Sequence, residues 1–296
     1  MLAICTNMGI PELLDASFPP HGNWEGTSLG WTATIWLTHI LSEGDHRLNQ
    51  VQPWAANRTH TLQTSSGQAV REGEWSDDRL AIVLDALSDT QKWQQFETAL
   101  NRQIIRVYNL KPKRVRVDST PASGYWTVTE EGLFQLGLSY DHRPDLPQLK
   151  VMLSALDPLG LPVATQIVSG ERADDRLYIP AIEQVSQSLQ EHGLLYVGDC
   201  KMAAMETRAF VQAQQDYYLT PLATKQMPDA VLAEYLKPVW AGEQALTAVY
   251  RDREARQPEL IAQGYERTVM LSMLTSNHAL FESVLAQVSE RRPKAS

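Results

Sequence analysis

Cysteine is almost absent: Cys5 and Cys200 are the only two in 296 residues. That excludes a disulfide framework and a thiolate metal cluster, and it makes a reducing compartment the default. Cys200 stands alone beside Asp199 and reads as a small packing residue. Long apolar runs are missing too. No stretch approaches the ~18 apolar residues of a membrane span, and the longest candidate, Leu29 to Leu41, is interrupted by Thr32, Thr34, Thr38 and His39. The amino terminus lacks the basic start of a signal peptide, so a cytoplasmic protein is expected. There is no basic excess: 26 Lys and Arg face 35 Asp and Glu, a net charge of -9. A general nucleic-acid coat would be basic. This balance leaves room only for a local patch. Lys111, Lys113, Arg114 and Arg116 crowd together before Asp118 and read as a solvated strand edge. No internal repeat is visible.

What is present suits a globular protein. A hydrophobic content of 43% over 296 residues supplies core for one large domain or two ordinary ones. Residues 1 to about 109 read as mainly helical. Leu29 to Leu41 carries apolar residues at helical spacing, Leu80, Val83, Leu84 and Leu87 form one stripe, and Phe96, Leu100, Ile104 and Tyr108 form another. Trp24, Trp31, Trp36, Trp54, Trp75 and Trp93 lie in this region and read as core. The polar stretch from Asn57 to Trp75 reads as a loop.

From Pro112 the pattern turns to strands. Val115 and Val117 alternate with Arg114 and Arg116. Leu133 to Leu138 is a short strand candidate. Val151 to Leu156 and Pro162 to Val168 make a hairpin around Asp157-Pro158-Leu159-Gly160. A helix is expected over Leu177 to Gln190, with Asp174 and Asp175 at its start and Gly193 as its carboxyl-terminal cap. Leu194 to Val197 is a continuous apolar run, as in a strand covered on both faces. A helix over Ala203 to Gln214 and a strand over Tyr217 to Leu219 follow. Beyond Thr224 the pattern weakens. Ala245 to Tyr250 and Glu266 to Leu274 read as strands and Ala279 to Glu290 as a helix, before a basic tail of Arg291, Arg292 and Lys294. The sum is a mixed α/β sheet with helical crossovers.

Two aspartates stand out on that frame. Asp118 closes the run Val115-Arg116-Val117, and Asp199 closes Leu194-Leu195-Tyr196-Val197-Gly198. Chemistry in open α/β sheets gathers at the carboxyl ends of strands, and two carboxylates delivered there suit a hard divalent cation. The competing reading makes both of them helix caps or turn residues.

Several motifs together resemble the DDE transposases of bacterial insertion sequences. These are Asp118-Ser119-Thr120, the run Gly137-Leu138-Ser139-Tyr140-Asp141-His142-Arg143-Pro144-Asp145-Leu146-Pro147-Gln148-Leu149, Gly160-Leu161-Pro162, Asp199, and the opening Met8-Gly9-Ile10-Pro11-Glu12-Leu13-Leu14. The similarity is strongest to the subgroup with a β-rich insertion before the final Glu, and it covers most of the first 225 residues. The resemblance implies an RNase H-like catalytic core with Asp118 and Asp199 as the first two acids. It also implies Mg²⁺ or Mn²⁺ as cofactor, transposon-end DNA as partner, and a second copy or a full-length transposase as a further partner. Ser119 and Thr120 would support the site or cap a turn. His142 and Arg143 would contact DNA phosphate, against an alternative in which Asp141 to Pro147 is a structural turn. The implied organisation is a helical domain over 1–109, part of an RNase H-like core over 110–224, and an incomplete β-rich insertion over 225–296.

The third carboxylate is not found. Tyr250 and Arg253 match the start of the family's Tyr-x2-Arg-x3-Glu-x6-Lys pattern, but Gln257 stands at the Glu position, next to Pro258. The expectation is a truncated transposase with two of three acids. One alternative is a non-catalytic fragment that pairs with or inhibits an intact relative. Another is an intact RNase H-like nuclease whose third acid is Glu206, Glu254 or Glu266. Residues 1 to 108 hold seven Lys and Arg against twelve Asp and Glu, so protein contacts are expected there rather than DNA binding.

Overall fold

The computed structural model describes residues 1–20, 22–71, 73–138, 143–251, 258–275 and 278–289. The chain divides into two compact units, Met1–Arg172 with Pro180–Leu194, and Ala173–Ile179 with Leu195–Ser296.

Helices open the first unit: α1 (Leu2–Asn7), α2 (Ile10–Ser17), α3 (Leu29–Glu43), α4 (Val51–Ala56), α5 (Thr59–Ser66), α6 (Asp77–Leu87) and α7 (Thr90–Val107). The apolar run broken by threonines is α3. Its buried hydroxyls return to the helix itself: Thr32 donates to Ser28 O at 2.8 Å, Thr34 to Gly30 O at 2.7 Å and Thr38 to Thr34 O at 2.9 Å. Buried hydroxyls are tolerated when bonded in this way. Ser28 caps α3 by accepting from the Trp31 N–H, and Asp15 accepts from Ser28 Oγ and the Gly30 N–H. At Gly30 the backbone comes so close to α2 that a Cβ would lie 2.1 Å from Pro11 O. Trp31, Trp36 and Trp75 are buried in this core, and Trp24, Trp54 and Trp93 pack against it. Asn57 to Trp75 is not a plain loop: α5 lies within it, buries Leu62 and ends at Gly67 with φ of 67°. A single buried apolar residue leaves no periodic stripe to read.

The unit's sheet has strands β1 (Arg114–Ser123), β2 (Gln148–Leu156) and β3 (Leu161–Ser169) in the order β3-β2-β1, all antiparallel. Val115 and Val117 face inward with Met152, Ser154 and Val163. Leu133 to Leu138 is not a strand: its one pairing is the bridge from Gln135 to Gln148. Leu133, Leu136 and Leu138 are exposed, so no buried face holds a strand there.

A buried polar brace ties α7 to β3 and to α8 (Tyr178–Leu189). Asn101 Nδ2 donates to Val163 O at 2.8 Å. Glu97 Oε2 accepts from the Thr165 N–H at 3.2 Å and Gln184 Nε2 at 2.6 Å. Burial pushes the Glu97 carboxyl above its ordinary value, against the hydrogen bonds from Thr165 and Gln184 that favour the anion. A raised folded value means that its contribution is fully present below the ordinary Glu value and is lost as pH rises through the folded one. One oxygen of Glu97 accepts both bonds, so Glu97→Gln can keep them. This variant should melt at or above wild type at pH 7.5 and lose that advantage at pH 5. A clear drop in melting temperature at pH 7.5 would show the carboxylate to be stabilising instead.

The expected cap of α8 is also corrected. Gln190, at φ 53°, takes the left-handed position directly after the helix, and Gly193 turns three residues later.

The second unit carries β4 (Leu195–Val197), α9 (Met205–Ala213) and β5 (Tyr217–Leu219), with β4 and β5 parallel. Then come α10 (Asp229–Trp240) and an antiparallel sheet of β6 (Thr247–Arg251), β7 (Glu259–Thr275) and β8 (His278–Ser289). Leu236 and Tyr265 form a small core with Leu232, Tyr235, Val239 and Leu246. Residues 278–289 form a strand, not the helix expected from Ala279 to Glu290. They pair with β7 from Thr275↔His278 to Gly264↔Ser289, and a ready-made partner strand overrides an ambiguous local period. The basic tail lies outside the described residues.

Candidate metal centre

Asp118 belongs to the first unit and Asp199 to the second. Asp118 is not at a strand end. It is the fifth residue of β1, which continues to Ser123, and it pairs with Leu153 of β2. Backbone pairing through Pro121↔Lys150 to Ser123↔Gln148 extends the strand past its apolar part. The reading of Asp118 as a turn or helix cap therefore fails. Its side chain points to the exposed face, opposite Val115 and Val117. Its Oδ1 accepts from the Ser119 N–H at 2.9 Å, and its Oδ2 has no hydrogen bond among the described residues. Arg114 and Arg116 occupy the same face. Their Nε atoms meet Asp157 at 2.9 and 2.8 Å, so part of the basic cluster is neutralised at the strand edge.

Asp199 does stand just past a strand. β4 ends at Val197, and the Gly198 N–H donates to Leu219 O at 3.2 Å. Asp199 Oδ1 accepts twice, from Tyr178 Oη at 2.6 Å and the Lys201 N–H at 2.8 Å. The second bond is an Asx turn, so part of the turn reading holds. Asp199 is not the cap of α9, whose N-cap is Ala204. Thr220 Oγ1 donates to the Asp199 carbonyl, which ties this turn to the end of β5. A Cβ on Gly198 would come within 2.7 Å of Met202 Sδ and 3.2 Å of Tyr178 Cε1, so the packing beneath the turn is close. Asp199 is exposed, and its Oδ2 has no hydrogen bond among the described residues.

Arg143 holds Asp145 in a two-pronged pair, Nε to Oδ1 at 2.8 Å and Nη2 to Oδ2 at 2.7 Å. A DNA phosphate at Arg143 would compete with that exposed carboxylate. His142 lies outside the described residues, as do Ser139, Tyr140, Asp141, Arg253, Glu254 and Gln257. Glu206 is exposed in the first turn of α9, where a carboxylate complements the helix dipole. Glu266 is exposed on β7. Among the described residues no three His, Cys, Asp or Glu side chains form a group that could hold a metal ion. Mg²⁺ needs no such cage, because it commonly keeps waters and takes one or two carboxylates with substrate phosphate. Asp118 and Asp199 each keep one carboxylate oxygen without a hydrogen bond among the described residues.

Tyr178 and Thr220 were not legible as site residues. A tyrosine at the start of an amphipathic helix reads as core. The available signal is that a buried tyrosine hydroxyl needs a polar partner.

No family model and no curated protein matches the sequence. Among solved structures the chain is similar to piggyBac transposase in a synaptic complex with hairpin DNA, at 10% identity and a TM-score of 0.43, over 100% of this chain and 62% of that one. It is also similar to Mos1 transposase in a paired-end complex with the left transposon end, at 12% identity and a TM-score of 0.28, over 81% of each chain. A pre-cleavage Mos1 transpososome gives 12% identity and a TM-score of 0.28, over 75% of this chain and 68% of that one. The chain thus spans less than two thirds of the piggyBac chain. No helix among the described residues is long and apolar enough to cross a membrane.

Proposed function

We propose that this chain belongs to a DDE-type transposase of the insertion-sequence kind, in which Asp118 and Asp199 together bind Mg²⁺ or Mn²⁺ against a DNA phosphodiester. One observation carries this reading. Asp118 lies inside a strand, where aspartate is disfavoured, on an exposed face, with one oxygen free of hydrogen bonds among the described residues. The Ser119 N–H bonds Oδ1 alone, which leaves Oδ2 available to a cation. The motifs around Asp118, Arg143 to Leu149 and Asp199 support the same family. The three antiparallel strands after β5 agree with a β-rich insertion following the second acid. When bound, such a cation would polarise a phosphoryl oxygen of the phosphodiester as a Lewis acid. Asp118 and Asp199 are the residues that would hold it, and transposon-end DNA would supply phosphate oxygen. With these two acids alone, metal binding would be weak and cleavage slight.

The test is Mn²⁺ titration of wild type, Asp118→Asn and Asp199→Asn by calorimetry. One weak site, lost in both variants, is expected. Binding unchanged in both variants would overturn the reading. Robust Mg²⁺-dependent nicking of plasmid DNA, abolished by Glu206→Gln, would instead make this chain a complete nuclease with Glu206 as its third acid.

A further inference from the structure

We infer that Tyr178 is the positioning residue of Asp199, fixing the carboxylate so that Oδ2 alone is presented to a cation. The inference rests on the proposed cation at Asp199. Tyr178 is the first residue of α8 and is 1% exposed, while the carboxylate it touches is exposed to solvent. Its hydroxyl donates to Oδ1 at 2.6 Å, a short distance typical of a hydroxyl bonded to an ionised carboxylate.

The Lys201 N–H also donates to Oδ1, at 2.8 Å. A carboxylate oxygen offers about two lone-pair sites, so Oδ1 is fully used and Oδ2 is left as the cation-facing atom. Gly198 contributes to the same arrangement. The absence of a Cβ lets the Tyr178 ring and Met202 pack directly under the backbone that carries Asp199. Thr220 fixes the carbonyl of the same residue. Asp199 is therefore held at three points, and only the Tyr178 hydroxyl comes from a separate element to set the side-chain torsion. Groups that orient a metal ligand typically alter affinity 10–100-fold when removed.

Tyr178→Phe removes one oxygen and keeps the buried ring. Two measurements separate the inference from the reading beneath it. In cation-free protein, three-bond couplings from the Asp199 backbone N and C′ to Cγ report its χ1. A single rotamer in wild type and averaged couplings in Tyr178→Phe are expected. Identical couplings in the two proteins would overturn the positioning role. In a Mn²⁺ titration, Tyr178→Phe should bind about tenfold more weakly. Ile182→Val, another buried change in α8 that leaves the Tyr178 hydroxyl in place, should bind as wild type does. Unchanged affinity in Tyr178→Phe, with binding abolished in Asp199→Asn, overturns the positioning role and leaves the metal site standing. No Mn²⁺ binding by wild type overturns the proposed function, and the couplings still decide whether Tyr178 sets the rotamer.

Discussion

Asp118→Asn should leave the melting temperature unchanged and weaken Mn²⁺ binding more than tenfold, a loss of at least about 1.4 kcal/mol. The separation of the two effects follows from the surroundings of Asp118. Its one side-chain hydrogen bond among the described residues, from the Ser119 N–H to Oδ1, can be kept by the asparagine carbonyl. Its neighbour across the ladder is Leu153, 38% exposed and without charge. An exposed substitution that breaks no cap, pair or packed contact usually changes stability by less than about 0.5 kcal/mol. Replacing a carboxylate by an amide removes the anionic ligand that a hard cation selects. A metal-binding loss with intact melting assigns Asp118 to function. A lower melting temperature with unchanged metal binding would make it a structural residue.

Glu74→Gln should have the opposite profile, costing about 2–3 kcal/mol of stability with no effect on Mn²⁺ binding. Glu74 is buried and accepts three hydrogen bonds: Oε1 from the Thr27 N–H at 2.9 Å, and Oε2 from Thr27 Oγ1 at 2.6 Å and the Arg71 N–H at 3.0 Å. An amide must turn its NH₂ toward one of these donors, leaving a buried donor unsatisfied. Arg79 sits in the same region, stacked 4.0 Å over Trp24 and donating to the Glu25 and Thr27 carbonyls. Burial raises the Glu74 carboxyl, but the bonds from Thr27 and Arg71 and the charge of Arg79 outweigh it, so the net shift is downward. A lowered folded value means that the stabilisation is present above the ordinary Glu value and is lost as pH falls through the folded one. The gap in melting temperature between wild type and Glu74→Gln should therefore be full at pH 7 and narrow in acid. A gap that widens in acid would contradict the assigned direction. Glu97 behaves oppositely because its hydrogen bonds do not overcome its burial.

The helices of the amino-terminal region were legible because one buried face imposes its period on the sequence, as at Leu80 and Val83 of α6 and at Phe96 and Ile104 of α7. The place of Asp199 was legible for a related reason: a short buried strand is a continuous apolar run, and it stops where the strand stops. The same rule misplaced Asp118, because β1 runs on through Ser119 to Ser123, held by backbone bonds to β2 that leave no apolar mark. α10 was missed although Leu232, Tyr235, Leu236 and Val239 face one core, because Pro238 inside its last turn disguises the period. The local period of β8 reads as a helix because its pairing with β7 lies in long-range geometry. The Tyr178 bond to Asp199 spans 21 residues and is set by where α8 starts, which no local spacing records.

The most direct test of the central claim is the anomalous scattering of Mn²⁺ in a crystal of the wild-type chain. The expected result is one manganese peak with an Asp118 oxygen and Asp199 Oδ2 both at coordination distance, about 2.0–2.2 Å by analogy with Mg²⁺. A peak that touches only one of the two aspartates, or neither, would contradict the shared cation site and the transposase reading built on it.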